Sequence, residues 1–401
     1  MSPRIPGPLF GLCLGAIAFL GPLAIHIYMP VIPAVKAAFG LSDALAQATF
    51  TVAVLGMGVA TLAYGSLSDR HGRRPVLLSG LCLFLLGSVL SAVAVNVPML
   101  VAGRVVQALG AGCGITLVRT IARDAYGVER LVKAIAYLTM FYTIGPMISP
   151  VVGGLLVDTL GWRAVFGFSV VAAAAITVSV WLVIYETRPA GETGPHGKVL
   201  RSYVELLAQP RFVALVLQTG FATGTFLIVA TASSTLMKEL LARPATEFGL
   251  YFMLLPLGFM CGTMISSRLG NRAPTETMVL VGSLVCLAAV AVQAALLMSL
   301  PPAPLMFFIP GAFVTMAQGI ALPYAQAGAM GTIPRLAGTA AGIGVFMQNF
   351  WAAISTQAYG LLADGTPRPM IVMAVLCAVL TLVFGAIPHL LSRKTAPSIP
   401  T

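Results

Sequence analysis

The chain has 401 residues, of which 58% are hydrophobic and only 9% charged, and its formal net charge is +11. Soluble domains carry about a quarter charged residues, so a water-soluble globule is excluded. Nucleic-acid binding is not indicated either, because the basic residues sit in short connections and not on an amphipathic face with interleaved aromatics.

In chain order, apolar runs occupy residues 9–29, 46–67, 76–95, 98–119, 133–157 and 164–185. A polar stretch over 186–210 follows, with Glu186, Arg188, Glu192, His196, Lys198, Arg201 and Glu205, and six more runs lie at 211–233, 247–267, 276–298, 303–325, 336–361 and 369–390. Each suits a bilayer core of about 30 Å, which about 20 helical residues cross. The runs are continuous and not alternating, and backbone groups in lipid must be satisfied internally, so the runs are predicted to be helices and not barrel strands. The expected fold is all-α and polytopic. It has twelve transmembrane helices in two bundles, residues 1–188 and 211–401, joined by a linker over 189–210. The first run follows one basic residue, Arg4, and shows no small-residue cleavage site, so it is expected to remain as the first helix. Six cysteines fall inside apolar runs without C-x-x-C spacing, which predicts neither a metal site nor a disulfide framework.

Of the 23 lysines and arginines, seventeen fall in the termini and even-numbered connections, five in the odd-numbered ones, and Arg104 lies within a span. The positive-inside rule then puts both termini in the cytoplasm. An internal echo supports two halves: Ser68-Asp69-Arg70-His71-Gly72-Arg73-Arg74 after the second run, and Ser266-Ser267-Arg268-Leu269-Gly270-Asn271-Arg272 after the eighth. Two parallel halves joined by a linker suit a transporter that rocks around a central site.

Five segments carry more specific chemistry. Gly65-Ser66-Leu67-Ser68-Asp69-Arg70-His71-Gly72-Arg73-Arg74-Pro75-Val76 combines a glycine fit for a tight reversal, basic groups and an acid able to cap a helix or hold an arginine. Arg104 lies in Gly103-Arg104-Val105-Val106-Gln107 of the fourth run, and a cation inside a span costs several kcal/mol unless a cavity or partner receives it. The fifth run holds Gly145-Pro146-Met147-Ile148-Ser149-Pro150-Val151-Val152-Gly153-Gly154, where prolines remove donors and glycines permit close helix contact. Tyr28-Met29-Pro30-Val31-Ile32-Pro33 closes the first run, and Gly161-Trp162-Arg163-Ala164-Val165-Phe166 opens the sixth.

Together these segments resemble the major facilitator superfamily, and within it the bicyclomycin and chloramphenicol resistance branch of drug:proton antiporters. The resemblance is densest over 20–170. It implies a bacterial inner-membrane exporter of small hydrophobic drugs or metabolites, driven by protons, without cofactor or metal, surrounded by lipid and expected to be a monomer. It assigns Gly65, Asp69, Arg70, Gly72, Arg73 and Arg74 to a conformational-switch loop, and Gly145, Pro146, Pro150, Gly153 and Gly154 to the antiporter motif. Tyr28, Tyr142, Gln218, Gln318, Gln348 and Asn349 fall in spans that line the central cavity in this superfamily.

The chain departs from that branch at His26, where an aspartate is usual, and all twelve acidic residues lie in loops or near run ends. His26 is therefore the expected proton carrier, its imidazole titrating near pH 6.5 in unperturbed form, with Arg104 acting on it when the two approach. The missing acid leaves a second reading open, an uncoupled facilitator or nutrient importer on the same fold. Nothing in the sequence supports an enzyme: neither a nucleotide-binding loop nor H-E-x-x-H occurs.

Overall fold

A computed structural model describes residues 7–188 and 199–395. Arg4 and Lys198, which the charge reading uses, and Glu192 and His196 of the polar linker lie outside them. Among the described residues the only regular structure is helical. Eleven helical segments there are long and apolar enough to cross a membrane. A twelfth, Ala337–Leu362, has the length at 26 residues, but Gln348, Asn349, Ser355, Thr356 and Gln357 make it more polar.

Prolines decide where two of the predicted spans break. The first run continues to Phe39 as α1 (Pro8–His26), a single 3-10 turn at Met29–Val31 and α2 (Ile32–Phe39). Pro30 has no N–H to give the His26 carbonyl, so α1 stops there. The eighth run likewise divides into α9 (Ala245–Phe252) and α10 (Leu254–Leu269), with Pro256 unable to bond Phe252. The fourth and fifth runs differ from expectation in the opposite sense. They are joined in α5 (Val97–Leu160), 64 residues broken only at Gly127, whose φ of 68° and ψ of 173° turn the chain. Charged residues such as Arg119, Arg123 and Asp124 mark the end of an apolar run, yet none of them breaks a helix.

The chain divides into two compact units, one of Met1–Gly197 with Pro244–Leu250, the other of Lys198–Arg243 with Tyr251–Thr401. In the first, α1, α3 (Asp43–His71) and α4 (Arg73–Ala92) pack on α5, while α6 (Trp162–Val183) packs on α4. The second unit contains α7 (Val199–Leu207), α8 (Pro210–Glu239), α10, α11 (Thr275–Ser299), α12 (Pro304–Thr332), α13 (Ala337–Leu362) and α14 (Pro367–Thr395). There α12 packs against α10 and α11, and α8 against α13 and α14. The echo noted in the sequence has a backbone counterpart: Gly72 (φ 96°) ends α3, and Gly270 (φ 48°) ends α10.

Helix association in lipid gains little from burying apolar surface and depends on close van der Waals packing at small residues. At the α4–α5 seam a Cβ added to Gly87 would lie 2.6 Å from the Gln107 Cα and closer still to its nitrogen. Backbone cannot step aside, so Gly87→Ala should destabilise by about 1–3 kcal/mol despite the better helix propensity of alanine. Gly167→Ala in α6, with no atom within 4 Å of the new methyl group, should not. Thermal unfolding midpoints of the two variants in detergent check the contrast.

Candidate functional site

Arg104 is the most buried of the charged side chains, at 1% exposure. Its Nη1 donates to the Ala24 carbonyl at 3.2 Å and to Gln107 Oε1 at 2.6 Å, and its Nε donates to the Thr49 carbonyl at 3.4 Å. The guanidinium carbon stands 4.1 Å from the centre of the Tyr28 ring, a cation–π contact that desolvation strengthens. Tyr28 is itself fixed, donating its hydroxyl to Thr49 Oγ1 at 2.7 Å, and Gln107 donates to Ser88 Oγ at 2.9 Å. One nitrogen, Nη2, is buried without an acceptor. The cage thus draws on α1, α3 and α5 and has dipoles and a ring face for lining, but no carboxylate. The Asp124 side chain, 8% exposed, is spent on Arg73 and not on Arg104.

His26 lies two residues beyond Ala24, whose carbonyl Arg104 holds. It ends α1, half-buried, with Nδ1–H donating to the Pro22 carbonyl at 2.8 Å. The expected cavity residues also separate. Tyr28 is covered completely inside the first unit, and Gln218 is 1% exposed, donating to Ser283 Oγ at 3.2 Å while its Oε1 is buried unpaired. Tyr142 is exposed. Gln318 and Gln348 are brought together in the second unit, both donating to Thr223 Oγ1, at 2.8 and 3.0 Å. Asn349 donates to the Val345 carbonyl at 2.8 Å.

The loop at Gly72 is built around carboxylates on other elements. Arg73 pairs with Asp69 one turn earlier, donates from Nε to Asp124 Oδ2 at 3.1 Å and from Nη1 to Ser68 Oγ at 2.7 Å. Glu186, beyond α6, accepts the backbone N–H of Arg73 at 2.9 Å and of Arg74 at 3.2 Å, so a carboxylate caps the N-terminus of α4 where the helix dipole favours it. A Cβ at Gly72 would meet Glu186 Oε2 at 2.6 Å, and its φ of 96° also disfavours other residues. Arg74 donates to the Trp181 carbonyl at 2.7 Å, and the Arg70 carbonyl accepts from Arg188 at 2.8 Å. Gly65 has open space around its missing side chain, and its carbonyl accepts from Ser68.

The fifth-run glycines all meet backbone or proline. A Cβ on Gly145 would lie 2.7 Å from Pro22 Cβ, one on Gly153 would press on the Ile27 carbonyl, and one on Gly154 would lie 2.6 Å from the Ala245 carbonyl carbon. Gly249 faces the Pro150 carbonyl oxygen, 2.5 Å from where its Cβ would be, and Pro146 and Pro150 both lie inside α5. Asp158 closes this contact by accepting the backbone N–H of Ala245 at 3.1 Å and of Thr246 at 2.7 Å, plus the Thr246 hydroxyl at 2.7 Å. All of these residues belong to the first unit.

A sequence profile described as the Major Facilitator Superfamily matches residues 14–356. The chain belongs to the major facilitator superfamily. It is 29% identical over 349 residues to Multidrug resistance protein D of Escherichia coli (strain K12), covering 86% of each chain. It is 27% identical over 307 residues to the uncharacterized MFS-type transporter YdgK of Bacillus subtilis (strain 168), covering 76% of each. Among solved structures, a bacterial homolog of the human lysosomal transporter Spinster superposes with a TM-score of 0.77 at 17% identity, over 98% of both chains, and a D-xylose-proton symporter with 0.73 at 14% identity, over 94% of this chain and 97% of that one. These last two speak to the superfamily fold alone. The chain is accordingly a multi-pass membrane transporter of this superfamily.

Two contributors to the site were hidden from sequence reading. Glu186 was legible only as part of a polar linker, since it lies 113 residues from Arg73. Thr223 carried no signal, because a threonine in an apolar run is ordinarily satisfied by its own helix.

Proposed function

We propose that the chain exports small hydrophobic drugs or metabolites from the cytoplasm in exchange for protons, by alternating access. The observation that carries this reading is the fifth-run motif Gly145 to Gly154, each of whose glycines takes up backbone or proline at a distance no side chain would allow. The relatedness to a multidrug resistance protein over 86% of both chains agrees with it. Such a seam can separate and re-form without side-chain repacking, as alternating states require. Both termini lie in the cytoplasm in this reading, the Gly72 loop opens and closes on that side, and Asp69, Asp124 and Glu186 set its closed state.

Proton coupling is assigned to His26. Its Nδ1–H is held by the Pro22 carbonyl, and in this reading the imidazole carries the transported proton. Arg104 acts through the α1 backbone at Ala24, two residues away. Proteoliposomes given an imposed pH gradient test the coupling. A cationic dye should move at least about tenfold faster with the gradient than after its collapse by a protonophore, and His26→Ala should erase the difference while leaving downhill movement. Equal rates with and without the gradient would favour the facilitator reading, which the lack of a carboxylate among the Arg104 hydrogen-bond partners supports.

A further inference from the structure

We infer that Thr223 holds Gln318 and Gln348 as a pair of amide readers in the second unit, and that the transported compounds are flat molecules with an amide or lactam edge, an N–H donor beside a C=O acceptor. The inference rests on the export reading above and names the substrate class for it.

The arrangement follows from the hydrogens of one hydroxyl. Thr223, on α8, donates to the Thr219 carbonyl at 2.9 Å, which leaves its oxygen only lone pairs to offer. Gln318 Nε2 from α12 donates to that oxygen at 2.8 Å and Gln348 Nε2 from α13 at 3.0 Å, so the two nitrogens are fixed side by side on it. Reversing either amide would set its oxygen against one that has no proton to give. A carboxamide has two N–H groups and one carbonyl, and each glutamine spends one N–H here. Each therefore keeps one donor and one acceptor, on a nitrogen and an oxygen bonded to the same carbon. Among the described residues no donor bonds either oxygen, and neither oxygen is sealed, in contrast to the buried, unpaired Oε1 of Gln218. Thr223 and Gln348 are half-buried and Gln318 is 9% exposed, so a ligand can reach amides that three helices hold still.

The complement of a carboxamide is a donor beside an acceptor, the pattern a glutamine meets at an adenine edge. A ligand that brings acceptors alone or donors alone satisfies half of that pattern and leaves the other half desolvated and unmade, which costs affinity. A flat ring has a place next to the amides. Trp351 lies one turn beyond Gln348 on α13 and packs on Gly220, one turn before Thr223 on α8, where a Cβ would meet the tryptophan side chain at 2.9 Å. Phe350 and Phe221 flank it with ring centroids 5.6 and 5.1 Å away. Such rings receive an aromatic ligand in offset or edge contact.

The test compares three ligands of one planar lactam core: carbostyril, its isomer series methylated at a ring carbon, which keeps the N–H, and N-methylcarbostyril, which has lost it. Binding to the purified full chain in detergent is read by equilibrium dialysis against protein-free micelles. The wild type should bind carbostyril and the carbon-methylated compound alike, and N-methylcarbostyril about tenfold more weakly, the scale of one hydrogen bond. The preference should vanish in the Gln318→Leu, Gln348→Leu double variant. Thr223→Val releases both amides and should shrink it, whereas Thr223→Ser should keep it. No binding of carbostyril by the wild type, or equal binding of its N-methyl derivative, would overturn the inference. So would a full preference kept in Thr223→Val and in the double variant, with wild-type elution profiles. The dye assay above separates the two readings. Gradient-driven dye movement with equal binding of the lactams overturns the inference alone, and a lactam preference without dye movement overturns the export reading alone.

Discussion

Arg104→Met is expected to unfold at a temperature no lower than the wild type and to lose more than about tenfold in transport. Two terms oppose each other at this position. A lone cation within a span costs several kcal/mol, and here no carboxylate offsets it. The compensations are a cation–π contact of about 2 kcal/mol and three hydrogen bonds, one to the carbonyl of Thr49 inside α3 and one to the Ala24 carbonyl in the last turn of α1. Methionine fills similar volume, relieves the desolvation and leaves Gln107 Oε1 and the Ala24 carbonyl as the chief unmet groups. Replacing buried charge by well-packed apolar side chains is often neutral or stabilising, so stability should hold while function fails. Thermal unfolding in detergent and dye uptake by proteoliposomes check both halves. A large drop in the unfolding midpoint would mean that the guanidinium is a structural strut.

Gly154→Val should weaken the packing of α5 against Ala245 more than any other single change at that seam. The new side chain would meet backbone, the Ala245 carbonyl and the Thr246 Cα, on a partner that cannot rotate away. Overpacking of this kind costs about 1–3 kcal/mol, enough to shift a two-state balance by about 5–150-fold towards the separated form. The exposed N–H groups of Ala245 and Thr246 would then lose Asp158 as acceptor as well. A cysteine at Thr246 reports it. Maleimide labelling should speed up by at least about tenfold in the Gly154→Val background, with transport falling by a similar factor. Labelling at the wild-type rate would show that the seam adapts.

The all-helical class was readable because twelve apolar runs admit no other arrangement in lipid, and the ends of several helices follow from single residues such as Pro30, Pro256 and Gly72. Continuation of helix from the fourth run to Gly127 was not readable, since a change from apolar to charged residues marks the membrane boundary and says nothing about backbone conformation. Within the candidate site, the Gly72 loop announced itself through residues adjacent in sequence. Its other half, Asp124 and Glu186, is brought in by tertiary folding. Tyr28 and Gln348 look alike in sequence, as polar residues in an apolar run. One is sealed under Arg104 and the other is half-buried beside Thr223, because the non-lipid side of a span includes both the interior of its own unit and any solvated surface.

The cradle of Arg104 also bears on how the chain enters the bilayer. Ala24 and Thr49 belong to spans that leave the ribosome before the one that carries Arg104. The acceptors for its guanidinium are therefore already resident when the charged span is released sideways from the translocon, so biogenesis can proceed without the cation ever facing acyl chains alone.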